Sequence, residues 1–383
     1  MQQVFHTLFW IAFYALVYIY IGYPVLIFFL SLFRKKDERF KNRDDLPSIT
    51  LVIPARNEER VIEQKLRNCL ELAYPSEKLE ILILSDQSVD DTVEIVQSFK
   101  ESNIQLINFS ERKGKTCAQN IAAEMARGEI LVFSDANAMY QQDALLQLVH
   151  HFEDDQVGCV CGELCYDNLQ NSAVGKEEGL YWHYEKFIKR CEDRFFSIIG
   201  ANGSIYAIRK SGYQVLEQDL ISDFIEPLEV LYKGKKVRYE SNAISVEESS
   251  VTFREELNRK RRIISRSIYS LLKRPYLLNP FRSFALFFEL FSHKILRWAS
   301  PLFQIILFGS NVTLIGAPNY RLLLYLQICF YLLSFIGYCF RKSTNLSSIL
   351  YMPFYFNLIN YASLMGILDW VRRRNTVFWE PIR

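Results

Sequence analysis

The chain has 383 residues, room for one domain of about 250 residues plus membrane segments. Half of it is apolar and 15% is aromatic, with 29 Phe and 22 Tyr. Its 45 basic and 43 acidic residues leave a net charge of +2, which argues against general nucleic-acid affinity; an anionic ligand has to be held by a local site.

Val4 to Phe33 carries no formal charge and is long enough to span a hydrocarbon core of about 30 Å, even when tilted. A cleaved signal peptide fits poorly: no Lys or Arg precedes the apolar stretch, the stretch is too long, and no small-residue cleavage site follows. Arg34, Lys35, Lys36, Arg39, Lys41 and Arg43 come next. The positive-inside bias keeps this flank, and the middle domain with it, cytoplasmic.

From residue 47 to 250, short apolar runs alternate with amphipathic stretches. SITLVIP, LEILILS, IQLINF and EILVFS read as strands, and Glu58–Leu72, Asp90–Ser102 and Thr116–Arg127 as helices between them. That alternation predicts an α/β fold, a Rossmann-like, mostly parallel sheet with ligands at the carboxyl ends of its strands. Polar residues fall at those ends: Ala55-Arg56-Asn57-Glu58 after the first strand, Ser85-Asp86 after the second, Ser134-Asp135-Ala136-Asn137 after the fourth. Singly, Asp86 could cap the helix starting near Asp90, and Asp135 the next one. On successive strand ends they point to a shared site.

Asp135-Ala136-Asn137 is a D-x-D-like turn whose two oxygen-bearing side chains can reach one hard cation, Mg2+ or Mn2+. Such an ion neutralises a diphosphate as a glycosidic bond breaks. Asn137 supplies an uncharged oxygen, so the turn binds metal more weakly than two carboxylates would. Arg112-Lys113-Gly114-Lys115 precedes a helix and suits phosphate, although it lacks the spacing of a P-loop. Cys159, Cys161 and Cys165 lie in the alternating GCVCGELCYD, which reads as a buried strand and not as a zinc site.

Asp223, at the start of a helical stretch, can act as a general base or simply cap that helix. The Arg- and Lys-dense run Arg254–Arg266 suits a lipid-headgroup patch or a clamp on a leaving diphosphate. Phe281–Trp298, with Arg282, Lys294 and Arg297 among Phe and Leu, reads as an interfacial helix. Ala299–Pro318, Leu322–Phe340 and Leu346–Leu368 are each long enough to span. Three late spans would put Arg372, Arg373 and Arg374 outside, against the positive-inside bias; a re-entrant Leu346–Leu368, which contains Pro353, would relieve this.

VIPARNEE, LSDQSVDDT, RKGKTCAQN, FSDANAMY, IGANGSIYAIRK, ISDFIEP and RKRRI, in this order between apolar ends, resemble the family 2 glycosyltransferases of GT-A fold. Their membrane branch includes poly-N-acetylglucosamine, hyaluronan and cellulose synthases and ceramide glucosyltransferase. The resemblance covers nearly the whole chain. It implies an inverting enzyme of the bacterial plasma membrane, with a UDP-sugar donor and a polysaccharide or lipid-linked acceptor in cell-envelope glycan synthesis.

Carried over by position, Ala55, Arg56, Glu58, Asp86 and Lys115 line the nucleotide-sugar pocket, and Asp135 and Asn137 form the metal turn. Gly200, Ala201, Asn202 and Gly203 line the sugar and acceptor region, Asp223 is the base, and Arg259 and Arg262 hold the acceptor sugar and diphosphate. Residues 1–33 are then an anchor, 34–46 a basic linker, 47–275 the catalytic domain, 276–298 an interfacial helix, 299–370 membrane helices and 371–383 a basic tail.

Three positions depart from the family pattern: Asn137 stands for a second Asp, Ser222 for an acid before the base, and Ile263 for the Trp of processive synthases. Polymerisation and transfer of one or a few sugars both stay open. A non-catalytic membrane scaffold or partner subunit that keeps the fold is the alternative; Asp86, Asp135 and Asp223 together speak against it.

Overall fold

The computed structural model describes residues 1–34, 45–167, 173–248, 253–340 and 348–372. The basic flank from Lys35 to Arg43 and Arg373 and Arg374 of the tail lie outside the described residues. The four expected strands form as β1 (Ile49–Ala55), β2 (Leu79–Ser85), β3 (Ile104–Asn108) and β4 (Ile130–Phe133). Four more follow: β5 (Met139–Tyr140), β6 (Val157–Asp167), β7 (Tyr206–Arg209) and β8 (Lys236–Glu248). Together they make one sheet of order β3-β2-β1-β4-β7-β6-β8-β5.

The half from β3 to β4 is parallel, whereas β7 runs antiparallel to both β4 and β6, so the sheet is mixed. Every residue of β1 and β4 is buried. This is expected of strands covered on both faces, and it explains why they are apolar but for Thr50, whose hydroxyl bonds Glu80 at 2.6 Å. Separate apolar clusters cover the two faces: one contains Val52, Leu82 and Phe133, the other Leu51, Ile53 and Ile83. Burying each such side chain stabilises the domain by about 1.5–3 kcal/mol. Cys159, Cys161 and Cys165 are all free thiols within β6.

The expected helices appear in shorter form as Ile62–Leu70, Thr92–Ser98 and Lys115–Met125. Among the described residues, two helices are long and apolar enough to cross a membrane, Gln2–Leu32 and Pro318–Cys339. The interfacial helix expected at Phe281–Trp298 is not a separate element. It starts at Phe284 and runs through a π-helical turn, Leu290–Ile295, straight into Leu296–Thr313.

The first helix has a π-helical turn of its own, Tyr18–Gly22, and the two turns meet where the Tyr18 hydroxyl lies 2.8 Å from Ser292 Oγ. Around this joint Tyr23 donates to Glu192 at 2.5 Å. His293 lies between Glu192 (2.6 Å) and Glu185 (3.2 Å), and Arg297 pairs with Glu185. Glu185 and Glu192 belong to the helix Ala173–Phe195 of the central domain. Both membrane-proximal helices are thereby fastened to that domain.

The last helix, Ser348–Val371, lies along the basic helix Phe253–Lys273. Phe354 meets Phe253 with ring centroids 5.2 Å apart, and two turns and more further on Asp369 pairs with Arg261. Between these contacts, a Cβ on Gly366 would lie 3.0 Å from the Arg261 carbonyl oxygen, so a side chain there would push the helices apart by a few tenths of an ångström.

Candidate active site

Because β2, β1 and β4 are neighbours and parallel, the segments that follow them emerge side by side. The loop that leads into β7 adds a fourth segment. Tyr206, the first residue of β7, pairs antiparallel with Phe133, the last of β4, so Gly200–Ser204 arrives at the same edge. The fifth is the head of the helix Ser222–Tyr232, tied to that loop where the Ala201 N–H donates to the Asp223 carbonyl at 2.8 Å.

Asp86 does not cap the helix that follows it. That helix has Asp91 as its N-cap, and Asp90 just before it accepts from the Thr92 N–H at 3.2 Å and the Thr92 hydroxyl at 2.5 Å. The Asp86 carboxylate instead accepts from the backbone N–H of Lys113 (2.6 Å) and Gly114 (3.1 Å). It thus fixes the RKGK loop against β2 at the positive end of the helix Lys115–Met125. Arg56 donates to the carbonyls of Asp86 (2.6 Å) and Gln87 (3.1 Å), and the Ala55 carbonyl accepts from the Asp86 N–H. Asn57 and Gln87, at φ of 51° and 56°, form the two sharp turns of this rim. Glu58 is turned inward and is 1% exposed, its N–H on Thr92 Oγ1. Arg56 and Glu58 are therefore both tied into the rim that follows β1 and β2.

Asp135 does not cap its next helix either: that helix, Ala144–His150, begins after Asp143. Asp135 Oδ1 takes a hydrogen bond from Lys115 Nζ at 2.5 Å. Gly203 shows how tightly the groups converge. A Cβ there would lie 2.6 Å from Asp223 Oδ2, 3.0 Å from Lys115 Nζ and 3.5 Å from Asp135 Oδ2. Three of the expected residues, from three separate elements, thus surround one glycine Cα that has to stay bare.

Burial pushes the Asp223 carboxyl above its ordinary range; Lys115 pulls it down, Asp135 pushes it further up, and Arg266 and Arg262 pull down. Burial also opposes the charge on Lys115, but Asp135 and Asp223 outweigh it and hold the ammonium above its usual range. Three residues after Asp223, burial raises Glu226 to about 8, even though the Tyr206 hydroxyl donates to it at 3.0 Å.

Arg262 stands within electrostatic reach of Asp223 and Asp135. Arg259 is held elsewhere, by Glu256 at 2.7 Å and by the Tyr166 hydroxyl at 2.7 Å. Asn202 is clamped through its side chain, which accepts from Lys189 at 3.1 Å and donates to the Gly162 carbonyl at 3.2 Å.

Sequence reasoning missed Lys65, Lys189, Glu226, Glu247 and Arg266. Lys65 is fully buried, donates to the Ala138 carbonyl and lies 4.0 Å from the centre of the Tyr140 ring. Its only signal was a Lys on the apolar face of a helix. Arg266 lay inside a basic run whose members the sequence does not rank; here it donates to the Leu220 carbonyl, three residues before Asp223.

Asp135 and Asn137 present hard oxygen donors, and the Asn137 amide makes no hydrogen bond to the described residues. The Asp135 carboxylate already carries an ammonium, Lys115 Nζ, at 2.5 Å. No three His, Cys, Asp or Glu side chains among the described residues converge into a ready-made metal cage.

Residues 50–214 match the family model described as glycosyl transferase family 2. This segment is a family 2 glycosyl transferase domain. It holds the rim, Lys115, the Asp135 turn and Gly203; Asp223 and the basic helix follow it. The chain is 30% identical over 250 residues to a poly-beta-1,6-N-acetyl-D-glucosamine synthase of Staphylococcus aureus (strain COL), covering 63% of this chain and 58% of the relative. It is 27% identical over 244 residues to the probable glycosyltransferase YdaM of Bacillus subtilis (strain 168), covering 61% and 58%. The chain thus spans under two thirds of the length of these curated relatives.

A solved mannosyltransferase, PcManGT from Pyrobaculum calidifontis in complex with GDP-Man and Mn2+, superposes with a TM-score of 0.72 over 96% of this chain and 99% of that one. At 18% identity, the likeness concerns the fold, which is GT-A from the transferase domain out to the flanking helices.

Proposed function

We propose that the chain is an integral membrane, inverting glycosyltransferase that moves a hexose or N-acetylhexosamine from a UDP-sugar to a glycan or lipid-linked acceptor in cell-envelope synthesis. The convergence of Lys115, Asp135 and Asp223 on Gly203 carries this reading. It sets a base, a cation and a metal-binding carboxylate around one small space at the strand ends, where α/β sheets bind their ligands.

The rim built by Ala55, Arg56, Glu58 and Asp86 receives the nucleotide. Lys115 faces the diphosphate, with Arg262 on the far side. Gly200 to Gly203 form the floor under the transferred sugar. Asp223 takes the proton from the acceptor hydroxyl. The freed oxygen bonds to the anomeric carbon from the face opposite the diphosphate, and the breaking bond leaves its electron pair on the nucleoside diphosphate. Asp135 and Asn137 would hold Mg2+ or Mn2+, which neutralises the charge gathering on the leaving group.

The helix contacts support a topology of three crossings. The last helix lies along the basic helix from Phe354 to Asp369, so its end stays on the side of the catalytic domain. Three crossings result: the first helix, the helix through Leu296–Thr313, and Pro318–Cys339. Both basic segments, after Phe33 and after Val371, then face the cytoplasm together, as the positive-inside bias requires.

The test is product formation from radiolabelled UDP-sugars, with GDP-mannose in parallel, by membranes carrying the protein, sized before and after lipid extraction. A lipid-extractable or polymeric labelled product is expected from a UDP-sugar. No transfer from any nucleotide sugar would leave the fold without this function.

A further inference from the structure

The Asp135-Ala136-Asn137 turn offers one carboxylate to a divalent ion, and the sheet brings a second one beside it. β5 starts two residues after Asn137 and pairs antiparallel with β8, Met139 opposite Val246 and Tyr140 opposite Ser245. One further step of the same register sets Glu247 opposite Ala138, next to the turn.

Alternation along β8 picks Glu247 and not its neighbour: Ser245 and Glu247 are buried, while Glu248 is exposed. Three groups on three different elements feel both Asp135 and Glu247: Lys65 on the helix Ile62–Leu70, Lys115 at the head of its helix, and Tyr140 on β5. Lys65 is itself anchored on the Ala138 carbonyl, the residue that the register places against Glu247. The register and these shared neighbours set both carboxylates around the turn that follows β4.

We propose that Glu247 is the second anionic ligand of this chain's divalent-cation site, acting with Asp135 and the Asn137 side-chain oxygen. It supplies from β8 the charge that the turn lacks at position 137. This rests on the proposed function, since it assumes that Asp135 binds a metal. Two carboxylates and a neutral amide oxygen form a hard donor set suited to Mg2+ or Mn2+. It also explains how an Asn at 137 is compatible with a working site.

The experiment measures Mn2+ affinity by electron paramagnetic resonance on the full-length protein in detergent with UDP present. Glu247→Gln should weaken Mn2+ binding about tenfold or more, at least the effect of losing a supporting group around a metal. Glu248→Gln should leave it within about twofold. Adding Asn137→Asp to Glu247→Gln should recover affinity, because charge count tunes hard-cation binding. Where Glu247→Gln does not fold, Glu247→Asp is measured instead and should bind more weakly than wild type.

Wild-type affinity in the folded Glu247 variant overturns the inference and leaves the proposed function standing; Glu247 is then only the countercharge of Lys65. Absence of Mn2+ binding by the wild-type protein overturns both the inference and the metal role within the proposed function.

Discussion

Lys115 Nζ lies 2.5 Å from Asp135 Oδ1, joining the head of the helix behind the RKGK loop to the end of β4. The two residues stand 20 positions apart in the chain. The ammonium is held by two carboxylates at once, Asp135 and Asp223. It therefore links the proposed donor side of the site to the proposed acceptor side, which separate substitutions can tell apart.

Asp223→Asn removes the base and keeps its shape. We expect turnover to fall by about 10²–10⁴ with UDP-sugar affinity nearly unchanged, whereas Asp135→Ala should weaken both. Donor binding and single-turnover rates in detergent decide this. More than about a third of wild-type turnover in Asp223→Asn would reduce Asp223 to a residue of the helix head.

The pH profile tests the same residue differently. Burial first, and Asp135 with it, raise the Asp223 pKa against the pull of Lys115. A general base works ionised, so kcat/KM should fall as pH drops through this raised value, at an acid limb above the ordinary ~3.9 of aspartate. The residual activity of Asp223→Asn should lack that limb.

Gly203→Ala places a methyl group 2.6 Å from Asp223 Oδ2 and 3.0 Å from Lys115 Nζ. Both are ends of side chains that can swing aside, so the fold should survive with a melting temperature within a few degrees of wild type, a stability change under about 1 kcal/mol. Turnover should fall more than about tenfold, because misplacing reacting groups by about 1 Å costs on the order of 10²-fold. Full activity in this variant would show that the space above Gly203 is not where the reaction occurs.

Glu226 predicts how stability responds to pH. Its folded pKa is pushed up to about 8 by burial, while an unfolded glutamate ionises near ~4.3. Between these values the folded protein keeps a proton that the unfolded chain has lost. The contribution is complete below about 4.3 and is lost as pH rises to about 8. Thermal unfolding followed from pH 5 to pH 8.5 should show stability falling more steeply in wild type than in Glu226→Gln. Parallel curves would rule out the raised value.

Topology can be read with reporters fused near residue 45 and after residue 383. Both should read cytoplasmic, because Asp369 pairs with Arg261 and holds the last helix on the catalytic-domain side. Opposite readings would mean that Ser348–Val371 crosses the membrane. As a structural counterpart, Gly366→Leu should loosen the last helix, since even a Cβ there meets the Arg261 backbone at 3.0 Å.

What the sequence determined by itself was periodic or contiguous. The apolar runs of β1, β2 and β4 are legible because strands buried on both faces have to be apolar almost throughout. The polar residues that follow them are legible because strand ends in a parallel sheet share one edge. Asp86, Lys115, Asp135 and Asp223 could be named on those grounds and on the motifs around them. Their partners could not. Asp86 could equally have capped the next helix, and only the packing of the RKGK loop against β2 gave its carboxylate the Lys113 and Gly114 N–H groups. Glu247 belongs to no motif, and only the pairing of β8 with β5 brings it towards the turn after β4. The last helix is apolar enough to pass for a crossing, and only the fold shows that it packs on the basic helix at Phe253 and Arg261 as well as on Pro318–Cys339 and Leu296–Thr313. Hydrophobicity records how much of a segment must leave water, but whether lipid or protein receives it is settled by the partner surface, which the fold alone supplies.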